Sequence, residues 1–325
     1  MNPSSVVFLT LVRDDQGVRL TSLLIDSLRA FGGALRACPV WLFDASSGTA
    51  GARYRETPGV RVLPLIVPEQ IEHYPFAAKV YACARAEDHA GDAGVRSLVW
   101  IDSSCLVVRP PVLFELGRGF DAAVRPVHIK NVGLRASEAV DGYWQKVFES
   151  VGVHDVATTV ESFVDAERVR AYFNTHAFSV NAGHGLLREW FDCFRRLVVD
   201  RDFQAGPCSD KLRKIFLHQA VLSALVAASL DPDRVRILPP EYNYPYHLHQ
   251  SVPAARRARS LNDLVCVAFE DDPPDPGGAG GLEVREPLKT WLAARLGSMP
   301  DGNGGGGAGE GGSGRGRGGG QDDAA

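Results

Sequence analysis

The chain has 325 residues, 45% of them apolar and 23% charged, with a formal net charge of −4. That balance belongs to an ordinary folded protein, and its mild negative charge excludes a global field that would recruit nucleic acid or anionic lipid. The six cysteines (Cys38, Cys83, Cys105, Cys193, Cys208, Cys266) form no Cys-x-x-Cys pair and no apolar run reaches membrane-spanning length, which argues against a zinc site, a disulfide framework and a membrane span, and points to a cytoplasmic protein.

The run Val6–Val12 is short, lacks a preceding positive region and is followed at once by Arg13-Asp14-Asp15, so it reads as a first strand and not as a signal peptide. Leu20, Leu23, Leu24, Leu28 and Phe31 recur at helical spacing, and Gly32-Gly33 supplies the stop. Val40–Phe43 predicts a second strand ending at Asp44, and Val60–Val67 a third whose Pro64 suggests an edge or a bulge. A helix is expected over 76–90, with Lys79 near its start, followed by the strand 97–102. The alternation of strands and helices predicts a mostly parallel sheet with helices on its faces.

Beyond Pro110-Pro111 the pattern predicts a strand over 120–127, a helix over 137–151 and a half-buried strand over 173–181, where polar and apolar residues nearly alternate. Helices are expected over 186–199 and 210–230, a last strand over 264–269 and a short helix over 286–296. From Asp301 onward no apolar residue exceeds Ala in size, so residues 301–325 are expected to form a disordered Gly-rich tail. Its Gly-Arg-Gly-Arg-Gly run is read as flexible chain and not as an RNA-binding tract.

The stretch Val99-Trp100-Ile101-Asp102-Ser103-Ser104 carries the chemistry. An apolar strand that delivers a carboxylate and hydroxyls to its carboxyl end places them where open α/β sheets bind ligands. A turn cap made by Asp and Ser is the structural alternative. No Gly-x-Gly-x-x-Gly follows the first strand and no Walker-type loop is present, so a nucleotide would have to be held without a glycine phosphate loop. Arg125, His128, Lys130 and Asn131 form a polar cluster suited to an anion or an acceptor, or else to a solvated loop. His247-x-His249 has a spacing compatible with metal if extended, although nothing nearby completes a ligand set. Tyr242, Tyr244 and Tyr246 could stack on a base or sugar, or pack as a lid.

In order along the chain, Lys79 on a helix, Asp102-Ser103-Ser104 after an apolar strand, Phe173-Asn174-Thr175-His176 or Val180-Asn181-Ala182-Gly183 ahead of the Trp190 helix, His218-Gln219, and Tyr242-Asn243 resemble the motif series of the nucleotide-diphospho-sugar transferases of the GT-A fold. The resemblance covers residues 5–250. It implies a GT-A-like, Rossmann-like α/β fold with a mixed, mostly parallel sheet. The expected organisation is a transferase domain over 1–272, with a nucleotide-binding half (1–111) and a donor and acceptor half (112–272), then a linker and short helix (273–300) and the tail (301–325).

The implied activity is transfer of a sugar from a nucleotide-diphospho-sugar to an unidentified acceptor, and the alternative is a catalytically silent member that binds a nucleotide sugar or a protein partner. For that activity Lys79, Asp102 and Ser104 of the motif series, with Arg13 as a charge and Thr10 and Asp44 at strand ends on the same rim, would bind the nucleotide and diphosphate, the alternative for Thr10, Arg13 and Asp44 being loop, cap or solvated roles. Asn131, Asn174, Asn181, Gln219 and Asn243 would face the sugar or acceptor, while Asp102 and His218 would serve catalysis. Asp102 would also be the metal ligand. Ser104 stands where the family has the second carboxylate of Asp-x-Asp, so Mn²⁺ or Mg²⁺ would be held weakly or not at all.

Overall fold

A computed structural model describes residues 5–91, 93–270, 272–278 and 281–297. The chain forms β1 (Val6–Val12), α1 (Asp15–Phe31), β2 (Val40–Asp44), β3 (Val60–Pro64), α2 (Ala77–Ala90), β4 (Ser97–Ile101), β5 (Cys105–Val107), β6 (Ala122–Pro126), α3 (Gly142–Ser150), β7 (Thr159–Glu161), β8 (Arg168–Arg170) and β9 (Phe173–Asn181). It continues with α4 (Leu186–Val199), α5 (Arg201–Ala205), α6 (Lys211–Ser229), β10 (Val235–Ile237), β11 (Tyr244–Pro245), β12 (Cys266–Ala268) and α7 (Leu288–Gly297).

Seven strands build the main sheet in the order β10-β6-β9-β4-β1-β2-β3. Within it β9 is antiparallel to both of its neighbours, β4 and β6, and every other pairing is parallel. The expected architecture, a mostly parallel sheet covered by helices, is therefore the one observed. One face packs under α2, α3, α4 and α6, with Trp100, Phe178 and Trp190 at its centre. The other packs against α1, and a small sheet in the order β11-β12-β5 lies beside it.

The chain passes from β1 outward to β2 and β3, then returns to lay β4 on β1's other side. This reversal of strand order puts the switch point at the carboxyl ends of β1 and β4, where open α/β sheets take ligands in a crevice. β9 runs the other way, so its first residues, Phe173 to His176, reach the same rim, where the Asp102 amide donates to the His176 carbonyl at 2.8 Å.

Several elements differ from expectation. The α3 helix begins only at Gly142, because the Asp141 carboxylate accepts from the Trp144 amide and caps it there. The β3 strand ends at Pro64 and is the sheet's edge, where a strand proline is tolerated. The β9 strand is buried along nearly its whole length and not half-buried. Its polar side chains are satisfied internally, as where the Ser179 hydroxyl donates to the Phe114 carbonyl at 2.8 Å. The C-terminal α7 helix buries Leu288 and Leu292, and its Trp291 meets Phe31 of α1 edge-on at 5.2 Å. The expected disordered tail, 301–325, lies outside the described residues.

Candidate functional site

Lys79 lies in the first turn of α2, buried under the sheet rim. Its ammonium is 2.8 Å from Asp102 Oδ2 and donates to the Thr175 carbonyl at 2.6 Å. The other carboxylate oxygen, Oδ1, accepts from the Trp100 indole N–H at 2.8 Å. Asp102 is thus clamped by one residue of its own strand and one of the helix before it. The Lys79 ammonium also lies over the rings of Trp100 and Phe76, at 5.4 Å and 5.7 Å.

Phe76 precedes α2 in the left-handed region (φ 61°), where a bulky residue is strained, and it remains 40% exposed. Its ring stacks on His218 of α6 at 4.2 Å. His218 Nδ1 meets the Ile215 carbonyl at 2.9 Å and so carries the proton. Nε2 is then the acceptor for the Thr175 hydroxyl at 2.9 Å. Burial and the neighbouring Lys79 charge hold His218 well below the usual histidine range. With both ring nitrogens engaged, His218 positions Thr175.

A second group gathers around the start of β9. Asn174 Oδ1 accepts from the His176 amide (2.7 Å), from His176 Nδ1 (2.8 Å) and from the Asn243 side-chain amide (2.6 Å). The backbone donor fixes the orientation of the Asn174 amide, and Nδ1 of His176 is therefore protonated and Nε2 a lone pair. Burial and the charges of Lys79 and His247 push His176 down to about 3. Behind it, His128 Nε2 donates to the Asn243 carbonyl at 2.8 Å, and the His128 ring lies parallel to that of His176 with centroids 6.0 Å apart.

The other expected site residues divide by position. Arg13 follows β1 at the crevice and is exposed overall. The surrounding protein nevertheless desolvates its guanidinium enough to lower its pKa, while Asp14 and Asp102 act in the opposite direction. Ser104 is half-buried on the turn between β4 and β5. Asp44 ends β2, but its carboxylate accepts from the Ser46 amide at 2.9 Å and the Gly51 amide at 3.0 Å, closing its own loop. Thr10 is buried against Leu24, Ile25 and Leu28 of α1 and does not reach the rim.

Gln219 is buried beside Tyr172. Asn131 is exposed on the loop after β6. Asn181 stands at the other end of β9, donating to Asp121 at 2.9 Å and capping Gly183, and is not brought to the site.

His247 and His249 do not form a pair. The segment turns as a 3-10 helix over Tyr246–Ser251, His249 meets the Tyr244 hydroxyl at 2.8 Å and His247 lies 3.3 Å from Glu270. Tyr242 and Tyr244 are buried, and the Tyr242 hydroxyl accepts from the Leu113 amide, so both are packing residues and not stacking platforms. The sequence assigns no site role to Phe76, Trp100, Thr175 or His176, although the last three stand within the quoted motifs. The only signal for Thr175 and His176 was their place beside Asn174.

The described residues offer a divalent metal few donors of their own. Mg²⁺ and Mn²⁺ are held by one or two carboxylates together with substrate phosphates and water. Each Asp102 oxygen already accepts one hydrogen bond, from Lys79 or from Trp100, and Ser104 offers only a hydroxyl. Among the described residues no group of three His, Cys, Asp or Glu side chains could hold an ion.

Residues 12–230 match the model of the Rhodobacterales glycosyltransferase domain, more than half of the chain. The chain belongs to this family. The expected sugar-transferase identity is met, and the Lys79, Asp102, Asn174, Thr175, His176 and His218 cluster of this glycosyltransferase lies within the matched segment. No curated protein matches the chain. A crystal structure of an active-site mutant of LgtC is similar to it with a TM-score of 0.48 and 14% identity, over 91% of this chain and 98% of that one.

Proposed function

We propose that this glycosyltransferase takes a nucleotide-diphospho-sugar in the crevice between β1 and β4 and passes the sugar to an acceptor bound over β9 and β6. The observation that carries the reading is the clustering of Arg13, Lys79, Asp102, Thr175 and His176 at the point where the strand order reverses. The Arg13 guanidinium supplies the charge that the leaving diphosphate needs, in place of a metal. Lys79 is paired with Asp102 and acts by fixing that carboxylate toward a ribose or sugar hydroxyl. His176 Nε2, neutral at ordinary pH, accepts from a sugar hydroxyl. His218 acts through Thr175 as a positioning residue.

Six free cysteines, all buried, support a reducing compartment such as the cytoplasm, and among the described residues no helix is long and apolar enough to cross a membrane. The test is incubation of the full chain with a panel of nucleotide sugars, with Mn²⁺ and with a chelator. Release of nucleoside diphosphate under both conditions is expected. Binding without turnover, even with candidate acceptors added, would instead make the protein a silent member of its family.

A further inference from the structure

Arg125, on β6, is only 5% exposed, and its Nε has no hydrogen-bond partner. No ion pair or hydrogen bond reaches its guanidinium among the described residues; it lies over the Phe163 ring at 4.8 Å. A guanidinium keeps its charge at every ordinary pH, so burying it without a counter-ion is costly unless something else supplies the anion. Burial lowers it to about 10, with the Arg256 charge adding to the effect and the exposed Glu241 opposing it from beyond ion-pair range.

Two further orphan atoms lie around His128, three residues beyond Arg125. Asn243 Oδ1 and His247 Nδ1 are buried without partners. Asn243 is bonded through its carbonyl to His128, and the His247 ring lies 6.2 Å from that of His128. Arg125 is close enough for its charge to press on His128 as well. An unpaired cation and two unsatisfied polar atoms, all set around His128, make a built site, since buried polar groups are otherwise almost always satisfied. Asn243 would accept from a hydroxyl of the same molecule.

We propose that Arg125 forms an anion subsite that takes the carboxylate or phosphate group of an acidic acceptor. This deepens the transferase reading and rests on it. β6 is separated from β4 by β9 alone, which at ordinary strand spacing sets it about 10 Å from the Asp102 strand. That places the anion beyond the donor's diphosphate, on the side where the acceptor lies.

The test is calorimetric melting of the full chain and of Arg125→Met, with inorganic phosphate as the probe against sodium chloride of equal ionic strength. Phosphate is expected to raise the wild-type melting temperature. Arg125→Met is expected to melt a few degrees higher than wild type in chloride, having lost an uncompensated charge while keeping the packing of its alkyl stem, and to show no phosphate increment. Saturating uridine diphosphate should add to the phosphate increment. An increment that survives in Arg125→Met, or that uridine diphosphate abolishes, overturns the proposal, the second outcome assigning Arg125 to the donor.

A phosphate increment confined to wild type, with no effect of any nucleoside diphosphate, would keep the anion site and remove the transferase reading. If the variant does not fold, wild-type crystals soaked in bromide decide. An anomalous peak at the Arg125 guanidinium supports the subsite, and none there overturns it.

Discussion

The Lys79 ammonium lies 2.8 Å from the Asp102 carboxylate, with the lysine 3% exposed and the aspartate 19%. An ion pair this far from water is balanced between desolvation and attraction, and removing one member strands the other. Asp102→Asn should therefore cost about 3–5 kcal/mol in urea unfolding. Lys79→Met combined with Asp102→Asn should recover part of that loss. A double variant as unstable as the sum of the two single ones would show that the pair is not coupled.

His128, His176 and His218 are all held below the ordinary histidine value, each mainly by burial. Below about pH 6.5 the unfolded chain takes up protons that the folded chain refuses, so stability must fall as pH drops. Each histidine contributes a slope of up to about 1.4 kcal/mol per pH unit below its unfolded value. Urea midpoints from pH 7 to pH 4 should fall steeply, and His176→Gln should flatten the curve by about one proton. An unchanged slope in that variant would mean that His176 is protonated in the folded state.

The Thr175 hydroxyl is the donor that satisfies His218 Nε2. Thr175→Val keeps the shape and leaves a buried acceptor without its partner, at a cost of about 1–3 kcal/mol. Thr175→Ser should restore most of it. Thermal melts of the three proteins check this, and a Thr175→Val protein as stable as wild type would place water at His218 instead.

How far the site was legible depended on whether its chemistry was local. Asp102 followed from an apolar strand that stopped at a carboxylate, and Asn174 from its place in an ordered motif series. Thr10 and Asp44 had the same strand-end positions. However, strand pleat turns Thr10 inward to α1, and the loop after Asp44 folds back onto its carboxylate. The Thr175 and His218 contact joins residues far apart in sequence, and the stacking of Phe76 on His218 depends on a left-handed backbone that no apolar pattern encodes. The antiparallel run of β9 decided the two asparagines. It brings Asn174 to the rim and takes Asn181 away.

Arg13 is the remaining basic side chain at the crevice that no ion pair holds among the described residues, since Lys79 is bound to Asp102. Arg13→Gln should weaken binding of a nucleoside diphosphate by roughly ten-fold, the worth of one charge-assisted contact of about 1.4 kcal/mol, and leave the free nucleoside almost unaffected. Because each Asp102 oxygen already accepts from Lys79 or from Trp100, adding Mn²⁺ or a chelator should change the wild-type affinity much less than this substitution does. Isothermal titration with uridine and uridine diphosphate, in Mn²⁺ and in chelator, measures all four quantities. A large gain with Mn²⁺ would require the Lys79–Asp102 clamp to open when the nucleotide arrives, and would assign the diphosphate charge to the ion and not to Arg13.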